Sequence, residues 1–214
     1  MTEIRYIKVT GDIEKGEFED VTDQVTLAED LVPTIETLKT DVPAWNRYRE
    51  KNPDWFPHLR GADLREADLH RTNLQGANLQ GANLQGANLQ GTNLRYANLH
   101  KANLFGADLR KANLSGANLN KSNLHETYLS GANLCEANLR EANLSSANLS
   151  EASLYKADLN NANLDAANLF EASLYGASLY GANLNNASLR KADLFGTKFS
   201  SREIVCRALR IDTT

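Results

Sequence analysis

The sequence of 214 residues has little of what usually announces chemistry. Its two cysteines, Cys135 and Cys206, stand 71 residues apart in no CxxC pair, so neither a disulfide framework nor a thiolate metal site is expected. No apolar run approaches the roughly 20 residues of a membrane-spanning helix, and Met1-Thr2-Glu3-Ile4-Arg5 begins no secretory apolar core. The cytoplasm is therefore the expected compartment. No GxxxxGK[ST] loop is present for nucleotide phosphates, so the many glycines need another explanation.

That explanation is a period of five. From Leu64 through Leu69, Leu74 and Leu79 to Leu194 every fifth residue is leucine. Two positions earlier stands a small residue, almost always alanine as in Ala62, Ala67 and Ala77, with Thr72, Thr92, Ser122, Thr127 and Thr197 as substitutes. A helix would turn successive leucines by about 140° net and scatter them over every face. A flat strand would send alternate leucines to opposite faces, because its side-chain period is two. The remaining solution is a chain that turns a corner at each repeat and brings every leucine to one interior. From Leu64 to Phe199 there are 28 such units, a solenoid signal.

The unit Ala77-Asn78-Leu79-Gln80-Gly81 resembles the pentapeptide repeat family, whose pattern is a small residue, Asn or Asp, Leu or Phe, and two variable positions. The resemblance implies an all-β, right-handed quadrilateral β-helix with 20 residues per coil, hence about seven coils here. Leucine and alanine then point inward, while the Asn/Asp position and the two after it face water. Asn and Asp suit such corners because their side chains bond nearby backbone.

The flanks divide the chain into an N-terminal segment at 1–60, the repeat tract at 61–200 and a C-terminal tail at 201–214. Ile4–Thr10 and Phe18–Val25 read as short strands, and Leu31, Ile35 and Leu38 have helical spacing with Pro33 in the first turn. Asp41 is placed to cap a second helix through Trp45 and Tyr48 that stops at Asn52-Pro53. The stretch from Trp45 to Pro53 resembles a lead-in found before such repeats in cyanobacterial members of the family. Trp45, Trp55 and Phe56 are expected to close the first coil, whose apolar interior would otherwise be open. Ser200-Ser201-Arg202-Glu203 has capping-box spacing and begins an expected closing helix carrying Ile204, Val205, Ala208 and Leu209. Phe199, larger than leucine, helps fill that end.

No catalytic, cofactor-binding or metal-binding residues are expected. On a four-sided coil His70, His100 and His125 fall on different faces and cannot converge on one ion. Glu66, Glu126, Glu136 and Glu171 lie on a convex surface, with no cleft to tune one as acid and another as base. Individual character lies in the variable positions, where residues 20 apart share a face. Tyr155, Tyr175 and Phe195 satisfy that spacing and should form an exposed aromatic ladder, with Cys135 one coil below; Phe170 and Tyr180 lie on adjoining faces. They are the candidate partner-binding residues, since exposed apolar patches often mark partner sites. The pairs His70-Arg71, Arg110-Lys111 and Arg190-Lys191 also share a face, but Glu151 and Glu171 interrupt the row and nucleic acid is not expected as a partner. Tyr128, in place of Asn/Asp, reads as a tolerated variant.

These observations favour a non-catalytic structural or protein-interaction module with an unidentified protein partner. The alternative, implied by some members of the family, is a DNA-mimicking modulator of DNA gyrase of the quinolone-protection type. Such mimicry needs strong negative potential along the rod. The net charge is −4, and residues 61–199 carry 12 acidic and 12 basic residues, so that feature is missing. A monomer and a homodimer paired through the C-terminal end are both compatible with the sequence.

Overall fold

The computed structural model describes residues 7–9, 18–20 and 32–200. Ile7–Val9 (β1) and Phe18–Asp20 (β2) pair antiparallel, inside the two expected strands. Leu31, Cys206 and the expected closing helix after Ser200 lie outside the described residues.

Ile35–Thr40 forms α1 behind an N-cap at Thr34, whose hydroxyl accepts from the Thr37 amide at 3.3 Å. Pro33 thus precedes the cap instead of occupying the first turn, because Thr34 and Thr37 bond each other's backbone reciprocally. Val42–Lys51 forms α2: Asp41 Oδ1 accepts from the Ala44 amide at 2.9 Å, and Asn52 closes the helix by donating its backbone N–H to Tyr48 O, also at 2.9 Å. The expected boundaries at Asp41 and Asn52-Pro53 hold, since a capping carboxylate opens the helix and a proline follows its end.

From residue 58 onward the chain repeats one local solution. In the unit Ala82-Asn83-Leu84-Gln85-Gly86 every backbone N–H has a different destination. Ala82 donates across the corner to Leu79 O (3.0 Å), Asn83 to Ala62 O in the preceding coil (2.9 Å), and Leu84 and Gly86 to Asn103 O (2.7 Å) and Phe105 O (2.9 Å) in the following one. Gln85 donates to the Asn83 side-chain oxygen (3.2 Å). The corner residue is left-handed at every repeat, from Gly61 at φ 65° and Glu66 at 56° to Gly196 at 69°. A positive φ at the third residue of a four-residue turn is the type II requirement, which explains the recurrent glycine.

Parallel bridges join each Asn position to the one 20 residues on, as in Asn83 with Asn103 and Asn103 with Asn123. Ser178–Leu179 (β3) and Lys198–Phe199 (β4) continue that register, Ser178 facing Lys198. The leucines from Leu64 to Leu174 are at most 1% exposed and form one continuous core with the alanines. At the C-terminal end Leu184, Leu194 and Phe199 are only partly buried.

The Asn positions depart from the expectation that they face water. Most are half-buried: the Oδ1 holds the N–H two residues on, and in many the amide nitrogen also bonds the residue one coil earlier. Asn103 to Asn83 (3.1 Å), Asn123 to Asn103 (3.0 Å) and Asn143 to Asn123 (3.3 Å) are successive rungs. Aspartate can accept in this way but cannot donate. Asp68 accepts from Asn88 at 2.8 Å at the start of its column, and Asp63 and Asp108 take their donors from Arg65 and Arg110.

At the N-terminal end Trp45 is 1% exposed and Leu38 fully buried, with Trp55 partly buried against the same core and edge-on to Trp45 at 5.3 Å. The expected third aromatic of the cap, Phe56, is 53% exposed. Its ring lies outside, its Cδ1–Cε1 edge at the bare corner of Gly76, where an added Cβ would come within 2.5 Å of Phe56 Cδ1.

Candidate interaction surface

The 20-residue register assembles the variable positions into columns. One column runs through Gln75, Arg95, Ser115, Cys135, Tyr155, Tyr175 and Phe195. Its last three rings stack: Tyr155 on Tyr175 with centroids 5.6 Å apart and planes 21° apart, and Tyr175 on Phe195 at 5.3 Å and 25°. Exposure rises along the column, Tyr175 at 40% and Phe195 at 70%, because each ring is covered from one side by the next and Phe195 has no successor. Tyr155 departs from the expected exposure and is half-buried, between Tyr175 and the Lys156 ammonium 4.9 Å from its ring centre. The side-chain hydrogen bond with Tyr155 pushes the Lys156 ammonium above the usual lysine value. Beside the two outer rings the corners are Gly176 and Gly196, so no side chain screens them.

Phe170 is also half-buried, beneath Arg190 and Lys191 on its own side of the rod, the Lys191 nitrogen 5.2 Å from its ring centre. Lys191 in turn meets Glu171 at 2.9 Å. Tyr180 is 48% exposed around the corner, its amide bonded to Asn160 Oδ1 at 2.9 Å. The structure therefore brings Tyr155, Tyr175 and Phe195 together, leaves Tyr180 on an adjoining face, and covers Phe170 with cations. Cys135 continues the column but turns its sulfur to Ser153 Oγ at 3.1 Å.

Among the described residues two further tyrosines are exposed. Tyr96, a corner residue with φ 57° and 62% exposed, was not singled out by periodicity; its ring lies over Gly116 with Arg95 above it at 5.4 Å. A bulky corner residue followed 20 positions later by glycine is the signal that finds it. Tyr128, 53% exposed, keeps its backbone in the parallel register between Asp108 and Asn148 but cannot serve as a rung, so its Asn column is interrupted there.

Several carboxylates pair with neighbouring cations. The side-chain hydrogen bond from Arg65 draws the Asp63 carboxyl down to about 2, and His70 and Arg110 likewise lower Asp68 and Asp108. His125 bonds Ser145 O at 2.8 Å and approaches Glu126 at 3.2 Å. Among the described residues no group of three or more His, Cys, Asp or Glu could hold a metal ion. Nor is any described helix long and apolar enough to cross a membrane.

Comparison with known proteins agrees with this architecture. The family described as pentapeptide repeats matches in successive segments from residue 58 to residue 200. Among solved structures, the chain is similar to HetL, a pentapeptide repeat protein involved in heterocyst differentiation regulation from the cyanobacterium Nostoc sp. strain PCC 7120. That likeness has 35% identity over 67% of this chain and 75% of HetL, with a TM-score of 0.43. It is 44% identical to alr5209, a pentapeptide repeat protein from Nostoc PCC 7120, over 41% of this chain and 70% of that one (TM-score 0.39). A trypsin-treated variant of QnrB1, a plasmid-mediated fluoroquinolone resistance protein, is 20% identical over 72% of this chain and 90% of its own (TM-score 0.38). No curated protein matches the chain. With the repeat pattern matched over most of its length, the chain belongs to the pentapeptide repeat family.

Proposed function

We propose that this chain is a non-catalytic interaction module, a rigid rod read by a protein partner along the edge formed by Tyr155, Tyr175 and Phe195. The rod has about seven coils, from 28 units at four per coil, and the right-handed four-sided winding that the family resemblance implies. The observation that carries the reading is the ladder itself. Stacked rings are held in place by the register of the coils, and the outermost is 70% exposed beside bare glycine corners. A partner meets them without having to order them first, which lowers the entropic cost of binding. Tyr180 on the adjoining face widens the apolar surface, and Phe170 contributes beneath its cations.

A gyrase-directed DNA mimic is the alternative class, and the equal count of 12 acidic and 12 basic residues in the rod speaks against it. Affinity capture from a cyanobacterial lysate tests the proposal, comparing the wild-type chain with one carrying Tyr155→Ala, Tyr175→Ala and Phe195→Ala after both show the same circular dichroism. A partner retained only by the wild type is the expected result. The same set of proteins on both chains makes the ladder structural and defeats the assignment.

A further inference from the structure

Every coil in the rod receives its predecessor through the same three backbone bonds. On the face that carries residues 91–96, the Asn93 amide donates down to Thr72 O (2.9 Å), while Asn93 O and Arg95 O accept from the amides of Leu74 (2.8 Å) and Gly76 (2.8 Å). One coil earlier the corresponding groups belong to Asn73 and Gln75. Continuing the coil would require residues 52, 54 and 56 beneath them, but that stretch is the turn that follows α2, in which Trp55 donates its backbone N–H to Asn52 O.

Three side chains of α2 stand in that place. Asn46 Oδ1 accepts from the Asn73 amide at 2.8 Å, Trp45 Nε1 donates to Asn73 O at 2.9 Å, and Arg49 Nη2 donates to Gln75 O at 2.8 Å. Each replaces one backbone group of the missing coil with the same polarity at nearly the same length. Asn46 adds a fourth bond, from Nδ2 to Arg71 O at 3.0 Å. The positions are i, i+1 and i+4 of one helix and span about 100° of its circumference, so one broad side delivers all of them. Trp45 and Arg49 are also buried, at 1% and 3% exposure, and Arg49 lies 5.7 Å from the Trp55 ring. Burying a guanidinium is costly, and here burial lowers the Arg49 pKa while Nε and Nη1 have no partner. Packing alone would be served by an apolar residue at that position, so the donor must supply something packing does not.

We infer that Trp45, Asn46 and Arg49 form a side-chain replica of a coil edge that blocks this face of the rod against a second copy of the chain. The occupant it excludes is identified by the hydrogen-bonding pattern: a pentapeptide coil is what docks on this edge in every other layer, and its groups match those of the replica. An unblocked strand edge is a template for intermolecular pairing, and natural proteins cover such edges. The inference is independent of the aromatic ladder at the other end of the rod.

The test uses the full chain with Trp45→Phe, Asn46→Ala and Arg49→Met, which keeps the apolar bulk and removes all four bonds. Amide exchange at Asn73 should become at least about tenfold faster than in the wild type, as for a bond worth roughly 1.4 kcal/mol. Sedimentation velocity over a range of concentrations should show added species at multiples of the wild-type mass. Unchanged Asn73 protection, or faster exchange with wild-type mass at every concentration, overturns the inference. Should the triple variant not fold, Asn46→Ala alone decides through the same two readings, because it leaves Trp45 and Arg49 packed.

Discussion

Ala166 turns a corner at φ 56°, a conformation that costs an L-residue about 1–2 kcal/mol and glycine almost nothing. Replacing it with glycine gives back roughly 0.5–1 kcal/mol through the freer unfolded chain. Ala166→Gly is therefore expected to stabilise by about 0.5–1 kcal/mol in denaturant unfolding. Gly116 is the converse case, since a Cβ there would meet Tyr96 Cδ1 and Cε1 at 2.5 Å, whereas one at Gly106 would meet nothing within 4 Å. Gly116→Ala should cost about 1 kcal/mol more than Gly106→Ala, and the gap should close in a Tyr96→Ala background. Thr72 illustrates a local conflict of another kind. Thr92 donates its hydroxyl to Leu69 O at 2.7 Å in the coil beneath, but Thr72 has no coil beneath and its buried hydroxyl is unpartnered. Thr72→Ala should raise stability by about 1 kcal/mol, while Thr92→Ala should not.

At the scale of the element, the unit is a coil edge and not a strand. Asn123 accepts from the His125 amide (3.2 Å) and from Asn143 (3.3 Å) and donates to Asn103 (3.0 Å), tying three layers together. Asn123→Ala should cost about 1.5–3 kcal/mol in chemical denaturation, several times a surface substitution. Leu124→Asp should abolish the soluble rod, because the side chain is 1% exposed in a continuous core; undisturbed melting would contradict the inward assignment. The 20-residue spacing came with the family resemblance, whereas the inward leucines and alanines and the helix boundaries at Asp41 and Asn52 were legible in the residues themselves. Each rests on a periodicity or a capping residue that acts within a few positions. The Asn rungs were not, because an asparagine's donor finds its acceptor 20 residues away and the local chain shows only the bond to its own backbone. Phe56 likewise reads as apolar and core-bound until the bare corner at Gly76 is seen to offer it an outer seat. For the candidate surface, spacing placed Tyr155, Tyr175 and Phe195 in one column; the shielding of Tyr155 by Lys156 and of Phe170 by Lys191 depends on side-chain reach around corners.

For the molecule as a whole, the low carboxyl values set the response to acid. Asp63 titrates at about 2 in the folded chain, and Asp68 and Asp108 also lie below the usual 3.8. A carboxyl whose folded value is depressed contributes its full stability above the unfolded value and loses it as pH falls through the folded one. The thermal midpoint should thus hold steady down to about pH 5 and decline between about pH 4 and pH 2. A decline beginning near pH 6 would point to groups other than these three. Light scattering addresses assembly at the same scale: the chain's own mass of 23.6 kDa is the value for a monomer, and twice that value is the value for a homodimer.

The parallel bridges carry one mechanical consequence. Nearly all bonds between coils run along the rod's long axis, so tension applied to the two ends loads the layers in series, and the weakest outer layer peels before its neighbours. Each release frees the 20 residues of one turn, about 66–72 Å of chain when taut. Pulled in this way, the protein should lengthen as a staircase of equal steps, a molecular spring whose extension counts its own coils.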